Sequence, residues 1–88
     1  MSTRVAVVGI IVEKPDAVLE LNRTLHEYEC YIVGRLGIPY RERGIKIISV
    51  AVDAPQDIIN ALSGKLGRID GISAKAAYSN CVFHAPRD

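Results

Sequence analysis

Tryptophan is absent from the 88-residue sequence, and one phenylalanine and four tyrosines are its whole aromatic content. None of them falls in the aliphatic runs that read as central strands, whereas RNA-recognition modules stack bases on aromatics exposed there. Charge of one sign is also missing. Eleven basic residues face ten acidic ones, for a net charge of +1. A nucleic-acid-binding face normally carries a basic excess, so direct nucleic-acid binding is not expected. Cysteine is confined to Cys30 and Cys81, with no CxxC pair, and the expectation is reduced thiols in a cytoplasmic protein. Met1-Ser2-Thr3-Arg4 leads directly into a strand-like segment without a signal-peptide pattern. That segment, residues 5–12, is far below the roughly 20 residues of a membrane span, so no membrane partner is expected. Neither a P-loop nor a GxGxxG turn occurs, and no cofactor is expected. Local motifs give no Ser-His-Asp or Cys-His set, and the chain reads as a protein that is not an enzyme.

What the sequence does have is aliphatic bulk. Hydrophobic residues make up 49% of it. A chain this short buries only about 60–65% of its extended surface, and association with a copy of itself is a common remedy. There is room for one domain, over 1–78, followed by a tail over 79–88 whose Val82 and Phe83 could tether it.

The run at 5–12, VAVVGIIV, is apolar at both parities and reads as a central strand covered on both faces. Gly9 inside it allows close approach by a neighbour. Pro15-Asp16 opens a helix over 15–29, with Val18, Leu21, Leu25 and Tyr28 as one apolar stripe. Strands follow at 31–36 and 45–52. The first carries Gly34 and Arg35 and suits an edge; the second, IKIISVAV, again looks central. Asp53 and Gln56 have the spacing of a capping box at the start of a second helix. Its stripe is Ile58, Ile59, Ala61, Leu62 and Leu66; Gly67 is placed to end it, and Gly64 points to close packing. A fourth strand, 72–78, contains Lys75 and belongs at an edge. The order β-α-β-β-α-β predicts a ferredoxin-like α+β sandwich, an antiparallel sheet of order 4-1-3-2 with both helices on one face.

Such a sheet leaves one face open, and a monomer would then show clean alternation on its central strands. Here Val5, Val7, Gly9 and Ile11 oppose Ala6, Val8, Ile10 and Val12, while Ile45, Ile47, Ser49 and Ala51 oppose Lys46, Ile48, Val50 and Val52. Either face is aliphatic, and the pattern leaves open which one meets the helices. The expectation is self-association, sheet-to-sheet or edge-to-edge, into a dimer or tetramer, with Val7, Gly9, Ile11, Ile47 and Ser49 as interface candidates.

Residues 37–44, GIPYRERG, read as a long connector between the two middle strands, with Gly37 and Gly44 able to supply positive φ. One reading is a solvated loop whose charges discourage edge pairing. Another is a grip on a partner protein or a small anionic ligand, with Arg35, Tyr40, Arg41 and Arg43 holding a carboxylate or phosphate. His26 and Cys30 are four apart, a spacing for two soft metal ligands on one helical face, and only Cys81 and His84 could complete the set. No metal is expected on that count. Tyr31 and Tyr78 read as packing residues.

The stretches GRLGIPYRERGI and LSGKLGRIDGISAKAAY, with VVGIIVE near the start, resemble the small iron-only hydrogenase system regulators over 5–78. That family is similar to the ACT domain and to the sensor half of nickel-responsive repressors. The resemblance implies a regulatory or ligand-sensing homo-oligomer, a transcriptional regulator among the roles, rather than a catalyst. Amino-acid-binding ACT domains place a Gly between the first strand and helix, where this chain has Glu13-Lys14-Pro15-Asp16-Ala17. The ribbon-helix-helix segment of nickel repressors is not expected before the first strand. A structural module docking through 37–44 is the second reading. A small enzyme of the acylphosphatase or dimeric α/β-barrel kind is the third, although Lys14 stands where acylphosphatases use an Arg.

Overall fold

The structure is a computed structural model, and it describes residues 2–84, with side chains to residue 80. Aliphatic β1 (Ser2–Val12) leads through a 3-10 turn at Pro15–Ala17 into α1 (Val18–Glu27). A second 3-10 turn, Glu29–Tyr31, opens β2 (Ile32–Tyr40), and a third, Arg41–Arg43, joins it to β3 (Ile45–Ala54). Next come α2 (Gln56–Gly67) and β4 (Ile72–His84). The sheet order is β2-β3-β1-β4, all pairs antiparallel, as a ferredoxin-like fold requires. No helix among the described residues is long and apolar enough to cross a membrane.

Burial alternates over residues 6–12 and 48–54 of the two central strands and decides which face meets the helices. Ala6, Val8, Ile10 and Val12 of β1, with Ile48, Val50, Val52 and Ala54 of β3, are buried. Leu21 and Leu25 of α1 and Ile59, Leu62 and Leu66 of α2 close over them. The expected stripes thus point inward, with Val18, Tyr28 and Ile58 half-buried at their margins. Ala61 is exposed instead. Lys65 joins the helix ends, reaching Glu27 Oε1 at 3.7 Å and lying 5.3 Å from the centre of the Tyr28 ring.

Several local expectations are corrected. Strand β2 continues to Tyr40, so the connector shrinks to Arg41–Arg43 and Gly44, the latter at φ 66°. Gly37 and Pro39 pair with Ile48 and Lys46 rather than forming a loop; an outer strand tolerates proline because the missing N–H can face solvent. Helix α1 stops at Glu27 rather than at residue 29. Asp53 belongs to β3 and caps nothing: α2 starts after Pro55 with no side-chain cap. A Cβ on Gly64 would meet only the Arg68 guanidinium at 3.6 Å, so nothing packs closely there. Strand β4 runs past residue 78 because β1 offers it a partner, Ser2, Thr3 and Arg4 aligning with His84, Phe83 and Val82 across a register shift. The side chains of Cys81, Val82, Phe83 and His84, and the tail beyond residue 84, lie outside what is described.

Arg4 has the parity of the core residues, and its two terminal nitrogens are engaged there, while Nε is buried with no partner among the described residues. The guanidinium donates to Gln56 Oε1 and to the Ser79 carbonyl, both at 2.7 Å, and sits 4.8 Å from the Tyr78 ring centre. Asn60 Oδ1 accepts from the Tyr78 hydroxyl at 2.7 Å and from Gln56 Nε2 at 3.2 Å. At the other end of the sheet Glu13 N–H donates to the Gly71 carbonyl at 2.7 Å, and Lys14 Nζ meets Asp70 Oδ2 at the same distance. That hydrogen bond holds the Asp70 carboxyl below its ordinary value and the Lys14 ammonium above its own.

Candidate functional site

With the helices on one side, the other side of the sheet is made by the second parity. Register places Val7, Gly9 and Ile11 of β1 beside Ala51, Ser49 and Ile47 of β3. Leu36, Ile38 and Tyr40 of β2 continue the same rows beside Ser49, Ile47 and Ile45. Ala77, Lys75 and Ser73 of β4 end them. Val7, Leu36, Ile38 and Tyr40 are 43%, 61%, 48% and 38% exposed. The five residues expected at an interface are therefore contiguous on this face, and Lys75 is its one charge across those rows. Sequence reasoning missed the β2 contribution, because 37–40 carries loop-like residues.

The four ligand candidates do not converge. Arg35 aligns with Val50 and so belongs to the helix side of β2, where its Nη2 donates to Asn22 Oδ1 of α1 at 3.2 Å. Tyr40 stands on the open face beside Ile45. Arg41 and Arg43 lie in the turn, roughly 17–20 Å along the strand from Arg35 at about 3.3 Å per residue. No carboxylate pairs with Arg35, Arg41 or Arg43 among the described residues. Arg35 instead borders a groove of about 300 Å³ between α1 and β2, together with Asn22, Leu25, His26, Glu29 and Ile32. Leu25 is buried and Ile32 half-buried, which gives the groove an apolar floor. Asn22 and His26 are one helical turn apart, but only the register of β2 could have shown that Arg35 faces them.

His26 and Cys30 do not share a helical face, since α1 ends between them and Cys30 sits exposed in the following 3-10 turn. His26 Nδ1 lies 3.2 Å from Glu29 Oε2 instead. No group of three metal-ligating side chains occurs among the described residues. Tyr31 and Tyr78 both pack against the core.

Residues 4–76 match the family model described as "TM1266-like: Iron-only hydrogenase system regulator, putative". The chain belongs to this family. TM1266-like architecture is also what the solved structures return. Uncharacterized protein TM1266 from Thermotoga maritima superimposes with a TM-score of 0.83 at 35% identity, covering 86% of this chain and 96% of that one. A formyltetrahydrofolate deformylase from Pseudomonas putida KT2440 superimposes with a TM-score of 0.62 over 88% of this chain, but at 17% identity and over 29% of its own length. The second likeness is one of fold. No curated protein matches the sequence. For a TM1266-like chain the family description supports a regulatory role.

Proposed function

We propose that this TM1266-like protein is a non-catalytic regulatory domain of the iron-only hydrogenase system that works as a homo-oligomer joined through its open sheet face. The observation that carries the reading is the row of solvent-facing aliphatic side chains from Val7 to Ile38. Patches of this kind mark interaction sites, and scattered single residues do not. Gly9 and Ser49, side by side in register, keep the centre of the face low, so a second sheet can approach while larger side chains interlock around it. Lys75 lies on β4 at the sheet's edge, where it stays wet at the rim of such a contact.

Sedimentation equilibrium tests this. The wild-type chain is expected to be a dimer or tetramer at micromolar concentration. Val7→Asp and Leu36→Asp are expected to be folded monomers, because each places a carboxylate where the partner sheet would exclude water. A wild-type chain that sediments as a monomer overturns the reading. In cells, removal of the protein is expected to change hydrogenase levels.

Arg41 and Arg43, which pair with no carboxylate among the described residues, favour a second reading, a module that docks an acidic partner protein through the turn. In that case Arg41→Ala with Arg43→Ala abolishes the regulatory effect while the aspartate variants keep it.

A further inference from the structure

The groove between α1 and β2 lies on the helix side of the sheet, opposite the open face, so occupancy of one does not need the other. We propose that it binds a small organic monocarboxylate with a short apolar tail. Arg35 supplies the anion recognition. Its guanidinium carries five donors, yet one neutral acceptor, Asn22 Oδ1 at 3.2 Å, is what holds it, and no carboxylate neutralises it among the described residues. The hydrogen bond to Asn22 sets the direction of the fork and leaves the remaining donors for a planar two-oxygen partner, which a carboxylate is.

The other lining residues narrow the class. The half-buried Ile32, with the buried Leu25 behind it, is where an apolar tail loses contact with water. A volume of about 300 Å³ is at the small end of ligand clefts and suits a ligand of few atoms. Glu29 stands at the same groove and already lies 3.2 Å from His26 Nδ1. Its charge repels a dianion such as phosphate more strongly than a monoanion. A single negative charge on a compact aliphatic tail suits this lining.

The test is an amide-resolved NMR titration of the full chain with isocaproate, using isocaproamide, leucine and inorganic phosphate as comparisons. Isocaproate is expected to shift the amides of Asn22, Leu25, Ile32 and Arg35 with a Kd of roughly 1 mM, in keeping with the ligand's few atoms. Arg35→Gln, an exposed substitution that leaves the core untouched, is expected to weaken it about tenfold or more, the scale of a lost charge-assisted pair. Asn22→Ala is expected to weaken it less, since it frees the guanidinium without removing it. Isocaproamide, equal in shape but neutral, is expected not to bind. Equal binding of the amide, equal binding to Arg35→Gln, or shifts confined to other residues each overturn the site. Tighter binding of leucine or of phosphate overturns the class of ligand. Sedimentation of the same samples separates these outcomes from failure of the self-association reading.

Discussion

Two glycines in this chain hold positive φ, and they do so for different reasons. Gly44, at φ 66°, closes the turn between β2 and β3, and a Cβ there would meet nothing within 4 Å. Gly71, at φ 87°, lies beneath Lys14, whose Cβ and Cγ would be 2.7 and 2.8 Å from an added methyl. Gly44→Ala bears only the left-handed backbone cost, about 1–2 kcal/mol. Gly71→Ala adds a clash with the stem of a side chain fixed to Asp70, and moving Lys14 also disturbs the Glu13–Gly71 backbone hydrogen bond. Its expected cost exceeds that of Gly44→Ala by about 1 kcal/mol or more. Urea midpoints of the two variants, compared at equal slope, check this ranking. Equal costs would show that Lys14 swings aside freely.

At the scale of elements, the strand that sequence patterns describe least well is the one most exposed. Strands β1 and β3 were legible because runs apolar at both parities need cover on both sides, and their central places in the sheet agree. The end of β2 was not legible. Gly37, Pro39 and the charged residues behind them carry the chemistry of a loop, yet an outer strand is held from one side only and accepts residues a central strand rejects. Strand β4 likewise continues past residue 78, because β1 lies beside it. Arg35 and Arg4 were misjudged or missed for a related reason: parity placed both on the helix side, and only pairing could show what they meet there. The exposure of β2 has a measurable consequence. Alternate N–H groups between Ile32 and Tyr40 point away from β3, with no strand among the described residues to accept them. They are expected to exchange with solvent at least about a hundredfold faster than the amides of β1, which is paired on both sides. Slow exchange at those alternate positions would place a partner strand on the β2 edge rather than a partner sheet on the open face.

For the whole molecule, the proposed assembly face and the proposed ligand groove fall on opposite sides of one sheet, and their independence can be measured with isocaproate as the probe. If folding is linked to association, every added copy stabilises the folded state by mass action. A rise of about a hundredfold in protein concentration should then raise the thermal midpoint by roughly 5–10 °C for a domain of this size. Val7→Asp removes the contact but leaves the helix-side core intact, because Val7 is 43% exposed and points away from that core. Its midpoint should therefore be lower than that of the wild type at high concentration and independent of concentration. Arg35→Gln changes the groove alone, so it should keep the full concentration dependence while losing the response to isocaproate. Val7→Asp should keep that response. Loss of both properties in either single variant would mean that the two faces are coupled through the sheet. A flat wild-type midpoint would mean that the aliphatic face is left to solvent.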